Sequence, residues 1–375
     1  MGDLSSHYTG DYEISLFEVG DVNGDGNDDV GILSYVKKAK YKNGVYSYHK
    51  KPQLIVYEFV RHDYLDKIRI FNWPANWEST SLLKLDDLNG DGHAEIGLQG
   101  LFRDGNMKPQ LMVKDGLTSE NYKKFSYPSL FSESRYTQLS DVNGDGVRDI
   151  GLVGTYKRHG KSQVKVINSQ DSSDRMTAYN FPLEMRDTTW FELGDINFDG
   201  ISDFGLFGTL QNDGRLKLMT KSGESSKESL GNYLWPSDII APQFLLIPDM
   251  NGDGVDEFAV AGYRSSIDRF QIIIKSGTDR HLRLAGFGWP NTYSEVSFEV
   301  LGDLTGDGIS EIALYGKDLD GNYTLDIKDG TGTPYKLITT EDYWTIKPTF
   351  QCINCDSNSS APYVLCKRPL IPPSA

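Results

Sequence analysis

One nine-residue pattern, Asp-x-Asn-Gly-Asp-Gly-x-x-Asp/Glu, occurs six times in this chain. Its odd positions are oxygen donors or residues whose carbonyl can serve as one. The first copy sets Asp21, Asn23, Asp25, Asn27 and Asp29 at positions 1, 3, 5, 7 and 9. The second sets Asp87, Asn89, Asp91, His93 and Glu95, and the third Asp141, Asn143, Asp145, Val147 and Asp149. The fourth sets Asp195, Asn197, Asp199, Ile201 and Asp203, and the fifth Asp249, Asn251, Asp253, Val255 and Glu257. The last sets Asp303, Thr305, Asp307, Ile309 and Glu311. Oxygens at 1, 3 and 5 point inward when backbone curls around an ion. Position 7 offers its backbone carbonyl whatever its side chain, which fits the variety there. This is the chemistry of a hard cation that takes six to eight oxygens at about 2.3–2.6 Å, and the expectation is about six Ca²⁺, one per loop.

An EF-hand loop begins in the same way but needs a carboxylate at position 12, followed by a helix. Here position 12 is Ile32, Leu98, Leu152, Leu206, Val260 or Leu314, each inside an apolar alternating run. The ligand set therefore closes at position 9. Charge points the same way: the formal net charge is −15, and the six loops hold 6 × 3 = 18 of the 53 acidic residues. Three carboxylates crowded without a cation repel one another. Six Ca²⁺ would take the net charge from −15 to −3. The loops depart from uniformity at Thr305, in position 3, and at Phe198, in position 4 where the others carry Gly.

The elements that must position these loops are read from the spacing. The loop starts differ by 66, 54, 54, 54 and 54 residues. An aromatic-x-aromatic-Pro element keeps the same step, 14 residues before each later loop: Phe71–Pro74, Phe125–Pro128, Tyr179–Pro182, Tyr233–Pro236 and Phe287–Pro290. Period-2 apolar runs enter and leave each loop, and two more follow before the aromatic element. Four strands per repeat of about 50 residues is the sequence form of a propeller blade. The expectation is an all-β, single-domain, seven-bladed β-propeller, with a six-bladed ring as the alternative. The blades fall at about 11–74, 78–128, 134–182, 188–236, 242–290 and 296–344. A degenerate seventh, 345–370 with residues 1–9, closes the ring and removes the open sheet edge. A parallel β-helix or an array of sandwiches is the competing fold.

Three cysteines lie near the end. Cys355 and Cys366 flank the last loop, where a disulfide would clamp the closure; Cys352 is the rival partner for Cys366, and a zinc site lacks a fourth ligand. The acidic balance argues against nucleic-acid binding, and no apolar stretch is long enough to insert in a membrane. The longer first interval holds a segment, 36–51, with six lysines and no acid. Asn43-Gly44 reads as a two-residue hairpin turn. Lys37, Lys38, Lys40, Tyr41, Lys42, Tyr46 and Tyr48 would then form a docking finger for an anionic partner, or a solvated hairpin whose lysines discourage edge association. The repeated aromatics read either as packing between blades or as platforms for sugars. The histidines show no ligand or triad spacing, and no Gly-x-Ser-x-Gly or P-loop occurs, so no enzyme activity is expected.

The six loops at regular spacing resemble the FG-GAP or VCBS repeat family, which includes the integrin α-subunit propeller, bacterial surface proteins and a fungal lectin. The resemblance covers about residues 11–344, nearly the whole chain. It implies seven blades, calcium between the first two strands of each, and a role in adhesion or ligand binding. Joined to the residue reading, it leads to an expected calcium-stabilised recognition module, extracellular, secreted or at the cell surface, monomeric, binding a protein or glycan. A lectin-like module and a rigid structural or targeting domain of a larger secreted protein are the alternatives; the Pro-rich tail from Pro369 resembles the start of a linker.

Overall fold

The computed structural model describes residues 15–331 apart from 43–44, 62–63, 104–106 and 129, together with the backbone but not the side chains of 37–42, 45–49, 59–61 and Tyr64. All of it is strand, turn or loop. Sheet 1 is β1 (Ser15–Gly20), β2 (Asp29–Lys42), β3 (Val45–Arg61) and β4 (Tyr64–Asn72). Sheet 2 is β5 (Trp77–Lys84), β6 (Ile96–Arg103), β7 (Met107–Lys114) and β8 (Asn121–Ser126). Sheet 3 is β9 (Phe131–Gln138), β10 (Ile150–Tyr156), β11 (Lys161–Ile167) and β12 (Thr177–Asn180). Sheet 4 is β13 (Met185–Glu192), β14 (Phe204–Leu210), β15 (Leu216–Lys221) and β16 (Ser229–Trp235). Sheet 5 is β17 (Ile239–Ile247), β18 (Glu257–Arg264), β19 (Arg269–Lys275) and β20 (Arg283–Pro290). Sheet 6 is β21 (Ser294–Val300), β22 (Ile312–Lys317) and β23 (Tyr323–Lys328).

Each sheet is an antiparallel meander in chain order. The all-β, propeller-like repeat of small antiparallel sheets expected from the 54-residue step is therefore present. The chain divides into two compact units, Met1–Leu183 with sheets 1–3 and Glu184–Ala375 with sheets 4–6. The closing blade expected from 345–370 and 1–9, the fourth strand of sheet 6, and Cys352, Cys355 and Cys366 lie outside the described residues. The ladder of β2 and β3 runs out to the pair Lys42–Val45, so the first interval is longer because one hairpin is extended. The side chains of the proposed lysine finger lie outside the described residues.

Within each unit the sheets pack face to face. The second strand is covered on both faces, as in β14 and β18, where nearly every residue is buried. That is why these runs are continuously apolar rather than alternating. Leu54, Phe71 and Trp73 of sheet 1 share a core with Ile96 and Leu98 of sheet 2. Sheets 4 and 5 share one built on Leu218, Tyr233, Trp235, Phe244 and Phe258. Small residues on the second strand make room for these side chains: a Cβ on Gly205 would stand 2.8 Å from Leu218 Cδ1.

The repeated aromatics are packing. Phe71, Trp73, Phe125, Tyr179, Phe181, Trp235 and Trp289 are at most 1 % exposed apart from their partners Tyr127, Tyr233 and Phe287, at most 8 %. The rings that are at most 1 % exposed present no face to a sugar. Each Trp of these repeated elements also donates its indole N–H to a carbonyl of the following sheet: Trp73 to Met112 at 3.1 Å, Trp235 to Ile273 at 3.1 Å and Trp289 to Asp326 at 3.2 Å. The buried N–H is thus satisfied across the sheet interface, and one residue type both fills the core and fixes the neighbour's register.

A second device recurs without any repeated residue. Ser79, Glu133, Asp187, Ala241 and Glu295, 54 residues apart, all take left-handed φ of 49–52° in the first strand of sheets 2–6. The ladder shifts register there, between Arg186 and Thr189 for example. The bulge presses on a glycine of the second strand: a Cβ on Gly208 would lie 2.8 Å from the Arg186 carbonyl. Bulges of this kind bend a strand and increase its twist.

Truncating the indole of one staple tests this packing. Trp235→Ala should lower unfolding stability by about 3–5 kcal/mol in urea titration, and Trp235→Phe by clearly less. A loss under about 1 kcal/mol for the alanine variant would contradict the staple.

Candidate metal centre

Each acidic loop joins the first and second strands of a sheet. Two backbone hydrogen bonds close its neck: Leu139 N–H to the Asp149 carbonyl at 2.8 Å and Asp149 N–H to the Ser140 carbonyl at 3.2 Å, repeated at Leu193 and Asp203 with 2.9 and 2.7 Å. Inside, the position-1 aspartate gathers amides. In the first loop Asp21 accepts from Gly24 (2.6 Å), Asp25 (3.0 Å) and Gly26 (2.8 Å). Asn23 Oδ1 accepts from Asp25 N–H and Asp25 Oδ1 from Asn27 N–H. The same set recurs in the third and fifth loops around Asp141 and Asp249. This curl needs left-handed backbone at position 6, met by glycine every time, as at Gly254 with φ of 87°. Phe198 takes left-handed φ of 63° at position 4 like the glycines of the other loops, and stands 64 % exposed. The position-12 residues all lie within second strands, as the exclusion of an EF-hand required.

Position 9 is where charge meets burial. Asp29, Glu95, Asp149, Asp203, Glu257 and Glu311 are each at most 2 % exposed. One oxygen of each accepts the amide of position 2, from Val22 at 2.9 Å in the first loop and from Leu88 at 2.5 Å in the second. The second oxygen divides the loops. In the third, fourth and fifth it accepts an amide from the turn between the third and fourth strands: Ser169 N–H at 3.2 Å, Gly223 at 2.8 Å and Gly277 at 2.9 Å. In the fourth and fifth loops backbone comes this close because a glycine stands there, where a Cβ on Gly223 would lie 2.1 Å from the Ser202 carbonyl and one on Gly277 2.1 Å from the Asp256 carbonyl; in the third, Ser169 takes the same place. In the second and sixth loops, by contrast, Oε1 of Glu95 and Oε1 of Glu311 are buried and have no hydrogen-bond partner.

Those two loops are also where the structure brings three carboxylates together among the described residues. Oxygens of Asp87, Asp91 and Glu95 lie within 4.8 Å of one another, as do those of Asp303, Asp307 and Glu311. Positions 1, 5 and 9 of the other four loops form no such cluster among the described residues. Side chains at position 7 differ: Asn27 Nδ2 donates to Asp25 Oδ1 within its own loop at 3.1 Å, whereas His93 points to the preceding loop, with Nδ1 3.2 Å from the Val22 carbonyl. Sequence reading missed two further acids. Glu58, within β3, and Asp115, in the turn between the third and fourth strands of sheet 2, accept from Asn23 Nδ2 at 2.7 Å and Asn89 Nδ2 at 2.9 Å. A signal for such turns was present, as Lys221-Ser-Gly223 and Lys275-Ser-Gly277 keep the 54-residue step.

Electrostatics follow from this geometry. Burial first, then the carboxylates at positions 1 and 5, push Glu95 up to about 8, Glu257 to about 7, and Asp29, Asp149 and Asp203 to about 6, against the lowering by their amide partners. Asp249 and Asp303, exposed and ringed by loop amides, are held below the usual range, chiefly by Gly254 and Gly308. In the second and fifth loops an amide-bound acid at the mouth that favours ionisation, Asp87 or Asp249, thus stands over an acid at the base that resists it, Glu95 or Glu257. A divalent cation reverses that resistance by supplying the missing positive charge.

No family model matches the chain, and no curated protein matches it either. Solved structures resemble it in arrangement. A rhamnogalacturonan lyase, YesW, aligns with TM-score 0.43 and 11 % identity over 82 % of this chain and 66 % of its own. BBS1N, in its complex with ARL6DN, aligns at 0.41 and 11 % over 86 % and 92 %. The apocarotenoid oxygenase of Synechocystis aligns at 0.40 and 10 % over 74 % and 64 %. The expectation that the chain is not an enzyme is corrected here, because these neighbours include a lyase and an oxygenase. The likeness carries no activity over to this chain.

The raised acids fix a pH dependence. A carboxyl whose folded pKa exceeds its unfolded value binds protons more tightly when folded, so its contribution is fully present below the unfolded pKa and is lost as pH rises through the folded one. Chelator-treated protein should therefore melt at a falling temperature between about pH 5 and pH 8. A melting temperature that climbs over that range would overturn the assignment.

Proposed function

We propose that this chain is a calcium-stabilised recognition module of the FG-GAP or VCBS repeat type. Its sheets act as blades of a seven-bladed ring, with a protein or glycan as ligand outside the cell. The observation that carries the calcium reading is the buried, unpartnered oxygen of Glu95 and of Glu311, each set among two further carboxylates. An ionised carboxylate sealed from water costs several kcal/mol unless a cation or donors meet it. Oxygen-only donors, carboxylate-rich and flexible in geometry, favour Ca²⁺ over the softer transition metals. The recognition reading is supported by a rigid scaffold bearing one basic segment, 36–51, on a chain of net charge −15.

The loops are not equivalent in this account. At Asp149, Asp203 and Glu257 a backbone amide already meets the second carboxylate oxygen. Ca²⁺ at those loops must compete with that hydrogen bond. At Glu95 and Glu311 nothing competes.

Calorimetric titration of chelator-stripped protein with CaCl₂ should resolve two sites at least tenfold tighter than the rest, a gap of about 1.4 kcal/mol. Glu95→Gln and Glu311→Gln should each remove one of the two, whereas Asp149→Asn should spare both. No uptake of Ca²⁺ would end the calcium reading, and six equal sites would end the ranking.

A further inference from the structure

A cleft in the unit Met1–Leu183 lies apart from the acidic loops. It encloses about 270 Å³ where the connection after β8 meets β10, β11 and the segment before β12. That lies just under the usual range of small-molecule pockets and leaves room for a ligand the size of one monosaccharide unit. Its walls include the rings of Tyr127, Phe131 and Tyr156, the amide of Gln163, and two cations, Lys165 and Arg175. No carboxylate lines it among the described residues, on a chain with 53 acids.

Three features of the cleft point to one ligand chemistry. The first is the amide. Asn180 donates its Nδ2 to the Ala178 carbonyl at 3.3 Å, so its Oδ1 is the atom turned to Gln163. Gln163 must then present Nε2 to Asn180, and its Oε1 is left buried without a partner, on a residue 5 % exposed. That oxygen asks for a donor from the ligand. The second is the pair of cations. Arg175 lies over the Tyr127 ring at 4.3 Å and spends one donor on the Ser126 carbonyl at 3.3 Å. A guanidinium has five N–H groups, enough to grip a carboxylate as well. Lys165 is held below the usual lysine range by burial and by Arg175 itself, so an anion arriving there relieves a like-charge contact. The third is the neighbourhood of the donor. Beside two cations an ammonium is disfavoured, so the group that meets Gln163 is a neutral donor, a role a hydroxyl fills.

A carboxylate, a hydroxyl donor and an apolar face against the partly buried Tyr156 describe a sugar acid. We propose that this cleft binds one uronate unit of an acidic saccharide, with its carboxylate on Arg175 and Lys165 and a hydroxyl donating to Gln163 Oε1. This names a ligand class for the recognition reading above and rests on it, but it is independent of the calcium loops.

The probes are D-glucuronate, D-galacturonate, D-glucose and L-glutamate, followed by saturation-transfer NMR and titration at saturating Ca²⁺. At least one uronate should bind, with glucose and glutamate about tenfold weaker or more, each tenfold being about 1.4 kcal/mol. Arg175→Ala, at an exposed position, and Gln163→Met should each weaken the uronate about tenfold or more, while circular dichroism and Ca²⁺ uptake stay those of the unaltered chain. Binding of neither uronate, equal binding of glucose, or uronate binding unchanged in both variants would overturn the proposal. Glutamate binding as well as the uronate would overturn the saccharide assignment. Failure here with normal Ca²⁺ uptake would leave the calcium reading standing.

Discussion

Six acids sit at the base of six hairpin loops, and all are at most 2 % exposed. Water cannot reach them to solvate a charge, so each must hold a proton, meet donors, or meet a cation. The loop around each acid is built on that constraint. Amides converge on position 1 and curl the backbone, which carries positions 3 and 5 above the buried acid. The acid in turn accepts the amide of position 2 and ties the loop to the second strand of its sheet, the most deeply buried strand. A change of charge at one carboxyl is therefore felt by loop, neck and sheet together.

The sheets themselves are held by apolar contacts and by indole donors that reach across to the following sheet. Loops are linked across sheets as well. The Ala94 amide donates to the Asp21 carbonyl at 3.2 Å, and Gln170 Nε2 donates to the Leu88 carbonyl at 2.6 Å. Loading the first or second loop with a cation would thus stiffen the other, since those two curls share a hydrogen bond.

Much of this was legible in the sequence, for physical reasons. The loops declare themselves because oxygen ligands and left-handed glycines are needed at fixed offsets. The strands show because burial imposes period 2 or a continuous apolar run. The repeated aromatics were visible, but their residue types fit a sugar platform as well as a core; only burial and the indole hydrogen bonds separate the two. The bulges were not legible. Ser79, Glu133, Asp187, Ala241 and Glu295 share a backbone conformation and no chemistry, and their one trace is the partner glycine, as at Gly208 and Gly262. The turns carrying the amides of Gly223 and Gly277 left a trace in the repeated Lys-Ser-Gly, but Glu58 and Asp115 were not legible, because single acids that meet a loop from 35 and 26 residues away leave no local pattern. The cleft at Gln163 draws on three separated segments and is invisible for the same reason.

The central claim is that cations, not protons, complete the buried acids at neutral pH. Differential scanning calorimetry at pH 7.5, with the protein in excess Ca²⁺ and then in excess chelator, tests it most directly. Binding to the folded state alone raises stability by about 2.7 kcal/mol at a hundredfold excess over Kd for each site. The account requires a large rise in melting temperature with Ca²⁺. Coincident transitions in the two buffers would contradict it.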